Sequence, residues 1–178
     1  MLDFLPALLV DLAIYLINFT LQHVLADRLG TGTDIELPLA LFSAVYTTTY
    51  VAGTLGLGPF SDRPGWRRAC MCAGLLVTAL VPIFMFVGGL ELGLWVFYAS
   101  MAVLGVGSAL FWPAQQARIG DRSGSEKLPG ALFRFNVGWT AGKALGLGVA
   151  GVLYKGVDGP AHPTYALLAA VAAALLAL

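Results

Sequence analysis

The segment "GPFSDRPGWRR", Gly58–Arg68, decides how the rest of this chain is interpreted. It holds Asp62 and three arginines, Arg63, Arg67 and Arg68, between two long apolar runs that carry almost no charge. The Pro-Gly pair after Arg63 predicts a tight turn. Asp62 precedes the next apolar run, where a carboxylate stabilises the positive end of a helix. We therefore expect a charged turn between two apolar helices.

The composition indicates a membrane protein. Of 178 residues, 58% are hydrophobic and 11% are charged, and the mean hydropathy is +0.82. Soluble domains carry about 25% charged residues, so this chain has too little polar surface to cover a globule in water. The formal net charge is zero, which gives no indication of nucleic-acid binding. Cys70 and Cys72 are predicted to be free thiols, because one intervening residue suits neither a disulfide nor a zinc site.

Six apolar segments follow one another along the chain. A chain segment in lipid must satisfy its own backbone hydrogen bonds, so each segment is predicted to be a helix. The predicted class is an all-α membrane protein with six transmembrane helices in one domain, residues 1–178. The predicted helices are 4–25, 37–60, 69–87, 92–116, 131–154 and 163–178.

Lysine and arginine residues are concentrated in two of the five predicted loops. The loops after the second and fourth helices hold six or seven of them, and the other three loops hold two. Basic loops of membrane proteins stay in the cytoplasm. Both termini and the two basic loops are therefore predicted to be cytoplasmic, in the plasma or inner membrane.

The four-residue pattern D-R-x-G occurs three times, beginning at Asp27, Asp62 and Asp121. Each copy is predicted to end a helix, because glycine permits a sharp exit. Together with the basic loops at matching places, the copies are compatible with two repeats of three helices. The last run, "LLAAVAAALLAL", has no polar or basic residue after it, from which we expect a fragment or a truncated product.

The pattern G-x-x-x-D-R-x-G-x-R-R between the second and third helices resembles the cytoplasmic motif of the major facilitator superfamily. The matching residues are Gly58, Asp62, Arg63, Gly65, Arg67 and Arg68. "GVGSALFWPA" (105–114) is similar to the glycine-rich stretch of the family's fourth helix. The resemblance covers essentially the whole chain and implies the amino-terminal half of a twelve-helix fold.

The resemblance also implies a role for the charged turn. In this family the turn contacts the opposite half of the molecule on the cytoplasmic side, and these contacts break as the halves rock. The six matching residues are then a conformational gate and not substrate ligands. Two departures weigh against proton-coupled drug antiport. Met101 stands where many proton-coupled members have an arginine, and the fifth helix lacks a Gly-Pro pair.

Polar residues form a stripe on the first predicted helix. Asp11, Tyr15, Asn18 and Gln22 are four, three and four residues apart, so they share one helix face. The resemblance implies that this helix lines the transport cavity, and hydrogen bonding between helices is the alternative. The fourth helix repeats the pattern with Ser108, Trp112 and Gln115. Trp112 is a candidate for stacking on a solute, or else an anchor at the membrane interface.

Lys143 lies about twelve residues into the fifth predicted helix, roughly 18 Å along it. A lysine near mid-membrane needs a partner or water. It shares a face with Asn136 and Thr140, and Asp11 is the only acidic residue within a predicted helix body, so an Asp11–Lys143 pair is a hypothesis. A structural ion pair and a site for substrate or protons both remain open.

Two further sets of helix residues are predicted to pack against other helices and not to bind the solute. Gly138, Gly142 and Gly146 recur every four residues and predict close packing of the fifth helix on a neighbour. In the second helix, the hydroxyl-bearing residues are predicted to meet the other half of the fold. They are Ser43, Tyr46, Thr47 and Tyr50.

These observations favour secondary active transport of a small polar solute by alternating access. The alternative is a six-helix scaffold or transporter remnant that transports nothing. We expect no enzyme activity, catalytic residue, metal or cofactor. The expected partners are a small-molecule solute, the lipid bilayer and a second six-helix half, either in the same full-length chain or in a second copy. Lys143 favours an anionic or zwitterionic solute.

Overall fold

The computed structural model describes residues 4–30, 35–88, 93–155, 170–171 and 173. Almost all of these residues are helical, and none of them forms a strand, which confirms the all-α prediction. The helical elements are α1 (Phe4–Leu29), α2 (Glu36–Ser61), α3 (Pro64–Gly88) and α4 (Leu94–Lys155).

The longest element, α4, consists of two helices that meet at Gly124. This residue has φ 61° and ψ 165°, which only glycine adopts readily. We call residues 94–123 the first arm and residues 125–155 the second arm. The predicted basic loop at 117–130 is therefore wrong, because helix continues on both sides of Gly124. Arginine and lysine are good helix formers, so the charges of this segment do not end the helix.

The count of six helices is not confirmed. The described residues form four helical elements, and the fourth and fifth predicted helices both lie in α4. The sixth predicted segment, 163–178, falls outside the described residues except at positions 170, 171 and 173, which are helical. Of these, Ala173 packs against Ala13 of α1 and Ala79 of α3.

The turn between α2 and α3 is shorter than predicted. Only Asp62 and Arg63 lie outside helix there, and Pro64 is the first residue of α3. Proline is favoured at this position because its fixed φ suits a helix and its missing N–H would have no partner in the helix. The Pro-Gly pair therefore begins a helix instead of forming the turn.

The glycines of the three D-R-x-G copies behave differently. Gly30 follows the end of α1 with φ 78°, and Gly124 separates the two arms of α4 with φ 61°. The prediction that these copies end helices is confirmed, because a positive φ directs the chain out of the helix. Gly65 lies inside α3, where the helix has already begun at Pro64. The Asp62 copy does follow the end of a helix, because α2 ends at Ser61, but the prediction that its glycine provides the exit is wrong.

The centre of the bundle is α4, which packs against α1, α2 and α3, while these three contact one another much less. The second arm lies directly on α1. A Cβ atom added to Gly138 would stand 2.6 Å from the carbonyl oxygen of Phe4, and one added to Gly146 would stand 2.8 Å from that of Leu12. Gly142 meets the backbone of Leu8 in the same way. The predicted glycine contact surface therefore holds two helix backbones together.

Apolar residues are both buried and exposed, as in a protein that lies in lipid. The core is formed by large side chains of α1 and α4, among them Ile14, Leu21, Phe97 and Phe111. Within the part of the chain that the structure describes, three helical stretches are long and apolar enough to cross a membrane: Phe4–Leu29, Arg67–Met85 and Leu94–Leu153. Helix α2 is not among them, because its central residues 46–50, "YTTTY", lower its mean hydropathy.

Candidate functional site

A polar cavity of about 230 Å³ lies between α1, α2 and the two arms of α4. We call it the Asp11 cavity. Polar atoms form a substantial part of its wall, whereas two larger grooves in the described structure are lined almost entirely by carbon. Its lining residues are Asp11, Tyr15, Tyr46, Tyr50, Trp112, Gln116 and Trp139.

Asp11 is the buried charged group of this cavity. Its exposed fraction is only 2%. Trp139 of the second arm lines the same cavity. The Oδ2 atom is buried and has no hydrogen-bond partner among the described residues. Burial of a carboxylate oxygen without a partner is costly, so this atom is positioned to receive a donor from a ligand or to bind a proton.

Lys143 lies beside the cavity, above the ring of Tyr15. Its Nζ atom is 4.8 Å from the ring centroid, within the range of a cation–π contact. The hypothetical direct ion pair with Asp11 does not form between these two described residues, although the charges interact electrostatically. Tyr15 therefore shares the cavity wall with the buried Asp11 carboxylate and contacts the exposed Lys143 ammonium group with its ring.

The α2 side of the cavity is fixed by close packing on the first arm. Tyr46 donates a hydrogen bond to Ser108 across 3.2 Å, and its ring is parallel to that of Tyr50 at 6.3 Å. Gly105 permits this approach, because a Cβ atom there would stand 2.7 Å from the carbonyl oxygen of Tyr46 and would also collide with Thr49. The tyrosines are thereby held against the wall formed by α4.

Trp112 connects the two arms of α4 inside the molecule. Its ring meets Phe111 edge to face at 5.0 Å and Phe135 of the second arm at 5.9 Å. Its exposed fraction is 7%, and its remaining surface lines the cavity. This position agrees with a stacking role and not with that of an exposed interface anchor.

The cavity gathers only part of the predicted site. Asp11, Tyr15 and Trp112 line it, Ser108 supports it through Tyr46, and Lys143 stands at Tyr15. The α1 stripe continues beyond it, so Asn18 and Gln22 are half-buried outside the lining, and Gln115 is buried elsewhere. Asn136 and Thr140 are exposed in a separate apolar groove of the second arm.

Sequence reasoning missed Gln116 and Trp139 and gave Tyr46 and Tyr50 a different role. The two tyrosines were expected to face another half, yet they line the cavity within this chain. Their spacing of four residues, the same as that of Asp11 and Tyr15, was a usable signal. No sequence signal indicated Trp139, because Asp11, which lines the same cavity, lies on a helix that is distant in sequence. Ser43 and Thr47 are exposed, as a contact surface requires.

At the turn between α2 and α3, Arg67 joins three parts of the chain. Its guanidinium group donates to the carbonyl oxygen of Ser61 at 3.1 Å and to that of Asp62 at 3.3 Å. It also forms an ion pair with Asp121 and donates to the carbonyl oxygen of Ala117, both near the end of the first arm. The side chain therefore fastens the α2–α3 turn to α4.

The other residues of the turn motif remain available to a partner. Asp62, Arg63 and Arg68 are exposed, and Arg63 stands over the ring of Phe60 at 5.8 Å. A Cβ atom on Gly58 or on Gly65 would meet nothing within 4 Å. No described helix therefore approaches Gly58, and a close approach there requires another part of the molecule or a second protein.

Comparison with known proteins agrees with this architecture. The chain matches the family model described as Major Facilitator Superfamily over residues 4–178. No curated protein and no solved structure matches the chain. The family is one of membrane transporters and not of enzymes. With the match extending over nearly the whole chain, this protein belongs to the major facilitator superfamily and is an integral membrane protein of transporter type.

Proposed function

We propose that the chain performs secondary active transport of a small polar solute across the cytoplasmic membrane by alternating access. The observation that carries this proposal is the Asp11 cavity, which places a buried, unpartnered carboxylate oxygen among aromatic rings. Ionisable groups inside membrane proteins mark solute and ion pathways. The cavity forms one wall of the solute site, and a second half of the fold forms the other wall.

The surface that receives the second half is formed by α2 and the second arm of α4. Both expose large apolar side chains, among them Val51, Leu55, Phe133 and Val137. The groove that contains Asn136 and Thr140 interrupts this apolar surface with two polar side chains. Polar residues within an apolar helix surface suit contact with another helix better than contact with lipid. The second half comes from the same full-length polypeptide or from a second copy.

The exposed residues of the turn motif form the cytoplasmic gate between the halves. Gly58 and Gly65 leave room for a helix, and Asp62, Arg63 and Arg68 present charges to it. Alternating access requires contacts that exist in one state and break in the other. Arg67 acts differently, because its contacts lie within this chain and hold the gate in position.

Replacing Lys143 with alanine should reduce uptake at least ten-fold without unfolding the protein. The side chain is exposed and carries the positive charge beside the Asp11 cavity, so its loss changes the charge of the site but removes little packing. The measurement is uptake into proteoliposomes of the solute that the native protein carries, found in a screen of radiolabelled sugars, amino acids, nucleosides and organic acids.

The matched control is Lys127→Ala, an exposed lysine of the same helical element near the break at Gly124. It should transport at the native rate. Normal uptake by the Lys143→Ala protein would exclude Lys143 from the solute site. Absence of uptake of every solute by the native polypeptide would favour the alternative of a scaffold that does not transport.

The orientation is tested by labelling single cysteines from outside intact cells. After Cys70 and Cys72 are replaced with serine, a cysteine is placed at Glu36 or at Glu126, both of which are exposed. With cytoplasmic termini, position 36 lies outside and position 126 lies inside. A membrane-impermeant maleimide should label Glu36→Cys at once and Glu126→Cys only after the cells are lysed. The reverse pattern would show that the termini lie outside.

A further inference from the structure

The Asp11 cavity carries a second inference, which rests on the proposed function and concerns the class of solute. Its wall presents a carboxylate oxygen without a partner, and the exposed ammonium group of Lys143 stands over the ring of Tyr15, a residue of the same wall. We infer that the site binds a small zwitterion, whose ammonium group is received by Asp11 and whose carboxylate is received by Lys143.

The buried end of the cavity is suited to an ammonium group. The Oδ2 atom of Asp11 needs a donor, and the described residues offer it none. Five aromatic rings line the same space, and the face of an aromatic ring attracts cations. Tyr15 already shows this property, because it holds the Lys143 ammonium group 4.8 Å from its ring centroid. A carboxylate with aromatic walls is a chemical environment for an amine or a quaternary ammonium ion.

The charge of the site as a whole selects against a simple cation or anion. A solute with only a positive charge would pair with Asp11 but would bring a second cation near Lys143. A solute with only a negative charge would pair with Lys143 and leave Oδ2 of Asp11 buried without a partner. A net-neutral solute with separated charges satisfies both groups, because each end meets the opposite charge.

The dimensions of the cavity agree with a small solute. Its volume of about 230 Å³ lies below the roughly 300–1,000 Å³ of pockets that enclose drug-sized ligands. Much of the wall is ring surface, and Gln116 adds an amide that can donate and accept. The chemical class is therefore that of α-amino acids and betaines.

The test is equilibrium binding to the purified full-length native polypeptide in lipid nanodiscs, measured by calorimetry. The probes are a panel of α-amino acids and betaines. For each binder, two matched analogues are added, namely the amine that lacks the carboxylate and the acid that lacks the amine. We expect at least one zwitterion to bind, and each analogue to bind at least ten-fold more weakly. An amine or an acid that binds as well as the zwitterion would overturn the inference, as would a folded protein that binds no member of the panel.

Two variants separate recognition from a structural role. Asp11→Asn should lose zwitterion affinity at least ten-fold and keep its affinity for the matched acid, while Lys143→Gln should shift preference toward the matched amine. These opposite changes in selectivity would not follow from a general loss of packing. If both variants weaken all ligands equally while circular dichroism shows native helix content, the two residues do not recognise the charges and the inference fails.

Uptake measured in parallel distinguishes the inference from the proposed function. Binding of a zwitterion without uptake would support the solute class and contradict transport. Uptake of a sugar, a simple cation or a simple anion in preference to every zwitterion would support transport and overturn the solute class.

Discussion

Replacing Gly142 with valine should destabilise the protein more than any other single substitution between α1 and the second arm of α4. A Cβ atom at this position would collide with the backbone carbonyl of Leu8, which cannot rotate away as a side chain could. Overpacking of an interior contact costs about 1–3 kcal/mol. Since α1 and the second arm run side by side along three such glycines, these two helices would have to separate. We expect the melting temperature in detergent to fall by about 5 °C or more.

The same helix supplies a matched control at Gly148. A Cβ atom added there would meet nothing within 4 Å, and the position is exposed. Gly148→Val carries the same change in helix propensity, so the difference between the two variants isolates the contact with α1. The measurement is thermal unfolding followed by circular dichroism or by loss of monodisperse protein. Equal melting temperatures would show that α1 does not pack on the second arm in this register.

The sequence predicted best those features that depend on a single segment. Apolar length predicted helices that coincide with α1 and α2 to within a few residues, because a chain in lipid has no alternative to internal hydrogen bonding. The spacing of Gly138, Gly142 and Gly146 predicted close packing of one helix face, although the sequence could not name α1 as the partner. The positive φ of Gly30 and Gly124 follows from the same local chemistry.

The errors arose where several residues compete for one role. The charges of 117–130 indicated a loop, but arginine and lysine extend from a helix into water as readily as from a loop. The helix is therefore interrupted at Gly124 and not at the charged residues. Pro64 was placed in the turn and instead begins α3. In both cases the helix is longer than its apolar part, because hydropathy reports the thickness of the membrane and not the end of the helix.

The candidate site was only partly predictable, since its members lie far apart in the chain. The spacing of Asp11 and Tyr15 identified one helix face. Lys143 was identified because placing a charged side chain within a membrane costs free energy unless a partner or water is present. Which other residues meet them depends on how the helices cross. Trp139, which lines the cavity with Asp11, and Tyr46, which donates to Ser108, became visible only with the packing of α2 and α4.

The second large effect is expected at the Arg67–Asp121 ion pair. Arg67→Ala should reduce uptake at least ten-fold, because the side chain joins the carbonyl oxygens of Ser61 and Asp62 to the end of the first arm. Without it, the turn is attached to α4 only through the covalent chain and helix packing, and the gate residues lose their fixed position. The helices themselves stay packed by their apolar faces, so the melting temperature should change much less than the rate of uptake.

The charges on the two sides of this contact allow a sharper comparison. Asp121→Ala should reduce uptake, but by no more than Arg67→Ala, because Arg67 keeps its bonds to carbonyl oxygens in that variant. The double variant should be no worse than Arg67→Ala, since both lack the same ion pair. The exchanged pair Arg67→Asp with Asp121→Arg should recover part of the lost rate. Glu126→Ala is the control, an exposed carboxylate of the same helical element. Additive losses in the double variant would mean that Arg67 and Asp121 act separately. In that case Arg67 would act as the proposal has Asp62 and Arg63 act, by contacting the second half directly. Every charged residue of the motif would then belong to the proposed gate.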